Sequence, residues 1–447
     1  MRITVLGAGT VGTSIADMLC ELGHSVTVVD TNPETIRRIN EELDVLAVLG
    51  SAAQSSVLFQ AGTLGADLCL AVTGSDETNL VAASIAKAMG VHRAVARVYA
   101  PVFRDLSTFD YQRHFNIDRL ISMEHLSAME LAREIRHPGA SAVESFARGE
   151  VEVQELAVTE NAAGVGVALA DLKLPSGVRI GSIRREGRMW IAGAADRIAV
   201  GDVITLIGKR ELIDEVRTNF QRTAPPKQNI VIAGGGETGY HLALALENRR
   251  FSVLLIEADR ERCEYLATHL KYATVVNADF QRRASLEEER VGNADVFVAC
   301  AGDDEDNIMA CVEAKELGAK KIMSIVSRPD YGNVVEKLGI DHTVSPREVV
   351  ADQIRAFLNL GALVSRVALS RDSRIEILEI EVSAGSQAVD MTLATLPLPP
   401  QCLVAAQIRD GFVHVPGAED QFRPDDSIIA LVHRDSVVET VRLFESP

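Results

Sequence analysis

Long apolar runs are missing from the sequence. No stretch approaches the roughly eighteen uncharged apolar residues of a membrane-spanning helix; the runs are short segments such as Leu68 to Thr73 and Val253 to Ile256. On that pattern the chain does not insert into a bilayer. The six cysteines (Cys20, Cys69, Cys263, Cys300, Cys311, Cys402) lack Cys-x-x-Cys spacing and sit mostly in apolar segments, the usage of buried thiols in a reducing compartment. The ten histidines show no His-x-x-x-His or Cys/His cluster, so a structural zinc ion has nothing to hold it. Positive charge is scarce too: 45 Lys and Arg stand against 63 Asp and Glu, a net charge of −18. Such a surface repels a phosphate backbone and gives no reason for direct lipid binding, so no nucleic-acid partner is expected. Only Ile3 to Leu6 separate Met1-Arg2 from a glycine loop, too short for the apolar region of a signal peptide, and a cytosolic protein is expected.

What the sequence does have is 447 residues, 47% of them hydrophobic, enough for several cores, and it is written twice. The strand-like run Ile3-Thr4-Val5-Leu6 feeds Gly7-Ala8-Gly9-Thr10-Val11-Gly12, and an amphipathic segment from Thr13 to Leu22 follows. A second strand, Ser25 to Val29, ends in Asp30. In the second half Ile230 to Ala233 feeds Gly234-Gly235-Gly236-Glu237-Thr238-Gly239, and the strand Ser252 to Ile256 ends in Glu257. The repeat continues: Asp67 to Asn79 lines up with Asp295 to Asn307, Ile117 to Ser122 with Ile340 to Ser345, and Gly193, Gly201 and Asp202 with Gly417, Asp425 and Asp426.

Each half begins with short β-branched strands alternating with helix-period segments, the signature of a parallel sheet with crossover helices. It ends in short strands bounded by Gly and Asp, a small α+β module. The expected organisation is α/β: Rossmann-like nucleotide-binding domains over 1–137 and 229–361, small C-terminal modules over 138–221 and 362–447, and a diproline linker over 222–228.

The glycine loops carry the chemistry. The first glycine permits a tight turn, the second lets the main chain approach a pyrophosphate, and the third lets helix and strand pack closely. Phosphates then meet unpaired amides at the positive end of the helix. Asp30 or Glu257 can accept hydrogen bonds from ribose hydroxyls and would repel a 2′-phosphate, favouring NAD over NADP and leaving adenosine nucleotides open. Glu237 places a carboxylate where a phosphate would compete for the same amides.

Asp76-Glu77, ahead of the apolar helix Leu80 to Met89, and Asp303 to Asp306 read as N-terminal caps and dipole partners rather than a cation site. Glu287-Glu288-Glu289 reads as a solvated helix face, and His241 as a packed histidine rather than a base. Arg97 ends a strand on the ligand side of the sheet. The small modules show no His/Asp, Ser/Tyr/Lys or Cys/His constellation, so no catalytic residues and no metal ligands are expected. A soluble NAD-dependent oxidoreductase remains the alternative.

These residues, with Ala71 to Asn79, Ala96-Arg97-Val98-Tyr99-Ala100-Pro101 and His137-Pro138-Gly139-Ala140, closely resemble the TrkA family, cytosolic regulatory subunits of bacterial Trk potassium-uptake systems. The resemblance covers essentially the whole chain. It implies a homo-oligomeric, tetrameric ring docked on a membrane potassium channel subunit of the TrkH type, peripheral to the inner membrane and gated by NAD(H) or by ATP/ADP at the same sites. It implies a first site at Gly7 to Val11, Asp30, Thr73-Gly74 and Arg97, and a second at Gly234 to Thr238 with Glu257. Two departures stand out: Ser51 lies where many relatives carry an acid and the second copy keeps Asp279, and Ile325 replaces the arginine equivalent to Arg97.

Overall fold

Short Val/Ile/Leu runs buried on both faces form the strands of parallel sheets, because such strands have no solvent face to carry polar residues. In the computed structural model, which describes residues 1–105, 107–136, 143–146, 151–160, 162, 164–220, 227–247, 250–328, 331–358, 362–369, 374–409 and 412–446, they do so twice. Strands β1 (Arg2–Leu6), β2 (Ser25–Asp30), β3 (Leu46–Leu49), β4 (Leu68–Ala71), β5 (Arg93–Arg97) and β6 (Arg119–Ile121) make a parallel sheet in the order β3-β2-β1-β4-β5-β6. The chain starts in the middle and winds outward both ways, so a crevice opens beyond the carboxyl ends of β1 and β4.

A small antiparallel sheet follows, ordered β10-β9-β11-β8-β7, from β7 (Val143–Phe146), β8 (Val151–Ala157), β9 (Val178–Arg185), β10 (Arg188–Ile191) and β11 (Val203–Gly208). The second half repeats the plan. Strands β12 (Gln228–Ala233), β13 (Phe251–Glu257), β14 (Thr274–Asn277), β15 (Val296–Ala299), β16 (Lys321–Ile325) and β17 (His342–Val344) form the order β14-β13-β12-β15-β16-β17. Strands β18 (Leu363–Ala368), β19 (Ile375–Glu381), β20 (Cys402–Arg409), β21 (Phe412–His414) and β22 (Ser427–His433) form β18-β19-β22-β20-β21. The α/β duplication read from the sequence is therefore what the chain folds into.

Local details shift some boundaries. The first helix runs Thr10–Glu21, earlier than the apolar period suggests, because the Gly9 carbonyl already accepts the Thr13 amide at 2.9 Å. The helix Asp76–Ala88 starts where Ser75 caps it, its hydroxyl accepting the Thr78 amide at 3.2 Å. Gln228, expected to close the linker, instead opens β12, its amide bonded to the Arg250 carbonyl at 2.9 Å. The expected module boundaries at His137-Pro138-Gly139 and Leu360-Gly361, and linker residues 222–226, lie outside the described residues.

The modules sort into two compact units, Met1–Ala132 with Lys227–Ile354 and Arg133–Pro226 with Arg355–Pro447. In the second unit each small module keeps a core of its own, and the two share a further one in which Val153 and Ile207 pack with Ile377 and Leu431. Its repeated loops also match: Arg185 grips Asp202 at 2.7 and 2.8 Å, and Arg409 grips Asp426 at 2.8 and 2.7 Å. The Arg185 hydrogen bonds hold the buried Asp202 carboxyl below its ordinary range. Buried thiols behave as the sequence suggests: burial pushes Cys69 and Cys300 up to about 12, leaving them unreactive at neutral pH.

In the first unit the nucleotide-binding domains meet through two histidines, His125 and His241, with ring centroids 4.9 Å apart, edge to face. Burial, reinforced by the Arg104 guanidinium, pushes them down to about 3 and about 4. Glu237 Oε2 lies 3.9 Å from His241 Nε2. Unfolded histidines bind protons near 6.5 while these stay neutral, so their contribution is complete above pH 6.5 and is lost as pH falls toward 4. Denaturant unfolding of the full chain should weaken over that window by on the order of 1.4 kcal/mol per pH unit per histidine, and His125→Leu should flatten the slope by about one proton. A slope unchanged by the substitution would show that other groups set it.

Candidate functional site

The crevice is built on a glycine turn. Gly7 adopts φ +105°, and a Cβ there would stand 2.9 Å from the Thr73 backbone; one on Gly12 would stand 1.8 Å from the Gly7 carbonyl oxygen. Both glycines are therefore dictated by backbone packing. Gly9 differs: its backbone is extended (φ −66°, ψ −172°) and nothing lies within 4 Å of where its Cβ would be. Any residue could sit there, but only glycine leaves the space open.

The helix Thr10–Glu21 begins without a capping side chain and with no acid in its first turn, leaving its first amides without a side-chain partner. Asp30, at the end of β2, holds the loop in place: Oδ2 accepts the Ala8 amide at 2.7 Å and Oδ1 the Asn32 amide at 2.8 Å. On the far wall, fully buried Asn79 ties the ends of β4 and β5 together. Its Oδ1 accepts the Thr73 amide at 2.8 Å and its Nδ2 donates to the Arg97 carbonyl at 2.9 Å. Asp76 accepts the amides of Tyr99 and Ala100, both at 2.8 Å, so it staples the loop after β5.

A cavity of about 620 Å³ sits over this loop. Of the residues expected at the first site, Gly7, Gly9, Thr10, Val11, Asp30, Thr73, Gly74 and Arg97 line it. Ala8 and Gly12 are buried beneath. Arg97 makes a long contact with Glu124, 3.4 Å from Nη2 to Oε1. Sequence reasoning missed the cavity's other wall, where the second nucleotide-binding domain contributes Ser327, Pro346 and Arg347. No local pattern marks them, because their place depends on how two distant sheets pack.

The second loop copies the backbone and changes the occupant. Gly234 takes φ +104°, a Cβ on Gly239 would stand 2.0 Å from the Gly234 carbonyl oxygen, and Glu257 accepts the Gly235 amide at 2.7 Å. The helix Glu237–Ala245 also lacks a side-chain cap at Gly236. Here, however, Glu237 is buried in the first turn, its Oε1 accepting Arg262 Nη2 at 3.0 Å, while Arg262 Nε donates to the Gly235 carbonyl at 2.7 Å. The Arg262 guanidinium lies over the Tyr265 ring at 4.8 Å. Burial pushes the Glu237 carboxyl up even against Arg262, and the Glu124 charge adds to the shift. The loop is thus crossed by an ion pair made from its own domain. Thr238 follows in the same helix, and Asp279 Oδ1 accepts the Gln281 amide at 3.0 Å.

The halves of the chain match the same two domain families: TrkA-N domain at residues 3–121 and 230–346, and TrkA-C domain at 153–221 and 377–445. The chain is 31% identical over 444 residues to the Trk system potassium uptake protein TrkA homolog of Archaeoglobus fulgidus, covering 99% of this chain and 100% of the relative. It is 33% identical over 454 residues to the Trk system potassium uptake protein TrkA of Haemophilus influenzae, covering 100% and 99%. Among solved structures it superimposes on the GsuK RCK domain (TM-score 0.60, 18% identity, 98% of this chain and 94% of that one). The GsuK channel bound to NAD gives a TM-score of 0.60 at 17% identity, with 98% and 78% covered.

The two loop glycines make opposite predictions for stability. Gly12→Ala forces a methyl group into the Gly7 carbonyl and should destabilise the fold by about 1–3 kcal/mol in thermal or denaturant unfolding. Gly9→Asp, with open space around it, should stay within about 0.5 kcal/mol of the parent. Equal losses would mean that Gly9 is structural as well.

Proposed function

The chain belongs to the TrkA family of Trk-system potassium-uptake proteins, and from that premise we propose that it is a nucleotide-binding regulatory subunit that gates a membrane potassium channel subunit of the TrkH type. The observation that carries this reading is the first cavity: an uncapped helix terminus, an empty place beside Gly9 and a fixed carboxylate at Asp30 around one crevice. The residues fit an adenine nucleotide, NAD(H) or ATP/ADP, and one solved structure of GsuK, a fold neighbour, contains NAD. Amides of Thr10 and Val11 would hold phosphate oxygens. The lone pairs of Asp30 that Ala8 and Asn32 leave unused would accept ribose hydroxyls, and the same charge would repel a 2′-phosphate.

Binding at Asp30 and the loop amides does no bond chemistry. It shifts a conformational equilibrium, and by no more than its differential affinity for the two states; taking a 1:99 population to 99:1 requires about 5.5 kcal/mol. A tetrameric ring of such subunits, docked on the channel from the cytoplasmic side, would sum that bias over several sites. The domain limits at 137, 221 and 361 belong to the same reading, as do the second-site residues Gly234 to Gly239, Glu257 and Asp279. At the second loop a phosphate must first part Glu237 from Arg262, so affinity there is lower.

Isothermal titration of the full chain with NADH, NAD, ATP, ADP and NADPH tests this. Saturable high-affinity adenine-nucleotide binding is expected, lost in Gly9→Asp, retained in Gly236→Asp, weak for NADPH and without NADH consumption. Absence of binding would overturn the reading, and NADH turnover with small carbonyl substrates would favour an oxidoreductase.

A further inference from the structure

Three ionisable residues line the first cavity: Asp30, Arg97 and Arg347. Asp30 is engaged by two backbone amides and Arg97 by Glu124. Arg347 is half-buried and forms no ion pair or side-chain hydrogen bond among the described residues, although the chain carries a net charge of −18. Its position in the fold is also costly. It occupies the first turn of the helix Pro346–Leu358, where the helix dipole favours an acid, and the matching residue of the first half is an acid, Glu124.

The internal repeat shows what Arg347 faces. Glu124 and Tyr99 of the first domain interact electrostatically with Glu237, at the start of the helix after the second glycine loop. Exchanging the halves carries Glu237 to Thr10, Tyr99 to Ser327 and Glu124 to Arg347. Beside the first loop the packing of the two domains therefore sets a serine and an unpaired guanidinium where the second loop has a phenol and a carboxylate.

We infer that Arg347, supplied by the second nucleotide-binding domain, is the phosphate anchor and specificity-determining residue of the first site. A guanidinium presents paired donors to phosphate oxygens, so it selects ligands by phosphate charge and ignores the nucleoside. The ligand class is an adenosine nucleotide with at least a diphosphate, held between the loop of one domain and Arg347 of the other. Ligand binding then ties the two domains together, which gives the switch a cause within one chain. This inference rests on the nucleotide reading of the first site.

Titrations of the full chain with ATP, ADP and adenosine separate the two. Arg347→Ala should weaken ATP and ADP about 10- to 100-fold while changing adenosine less than about twofold. Arg347→Lys, which keeps the charge and loses the fork, should fall between, and the thermal midpoints of all ligand-free variants should match the parent. Parent-like ATP affinity in Arg347→Ala, with Gly9→Asp still removing the high-affinity binding, would overturn the anchor and leave the nucleotide site standing. Equal weakening of adenosine and ATP would make Arg347 merely structural, and a parent chain that binds no nucleotide would remove both readings.

Discussion

The hydrogen bond from the Ala8 amide to the Asp30 carboxylate, 2.7 Å long, and its twin from Gly235 to Glu257, fix each glycine loop to the end of the neighbouring strand. Everything at the crevice depends on that grip. It holds the turn that lets Gly12 pack against the Gly7 carbonyl, aligns the uncapped helix terminus with the sheet, and positions the acid that would meet a ribose. The acid at the strand end thus has a structural task before it has a ligand. The orphan amides and the macrodipole concentrate positive potential at one spot on an otherwise acidic molecule.

The repeat carries two such loops, and a few positions make them opposites. Where the first loop has Thr10 the second has Glu237, and facing it Tyr99 and Glu124 stand in place of Ser327 and Arg347. The first crevice keeps open volume and, at Arg347, a positive charge with no ion pair among the described residues. At the second, Arg262 bonds both Glu237 and the loop carbonyl of Gly235. Both copies keep the strand order, the buried asparagine between β4 and β5 or β15 and β16, and the acid that staples the following loop. The backbone geometry of the loop is therefore separable from its occupant, as expected where glycine and main-chain amides shape the site and side chains tune it.

Much was legible in the sequence for this reason. Gly7, Gly12 and Asp30 act through local backbone geometry, which recurs wherever strand, loop and helix follow one another, and the second copy confirmed the register. Periodicity also marked the strands, because a parallel strand buried on both faces must be apolar throughout. Helix starts were less legible: Thr10–Glu21 and Asp76–Ala88 begin at a carbonyl and a serine cap, ahead of the apolar period.

By itself the sequence determined the α/β duplication, the glycine loops, the terminal acids and the membership of the TrkA family, since these rest on short-range patterns repeated twice. Tertiary structure alone decided that Arg347 lines the first cavity, that Arg262 crosses the second loop, and that His125 meets His241 in a buried contact that keeps both neutral. The first and third join residues more than a hundred positions apart, which only the packing of one domain on the other brings within reach, and the second joins two neighbouring segments of one domain through side-chain geometry that no local pattern marks.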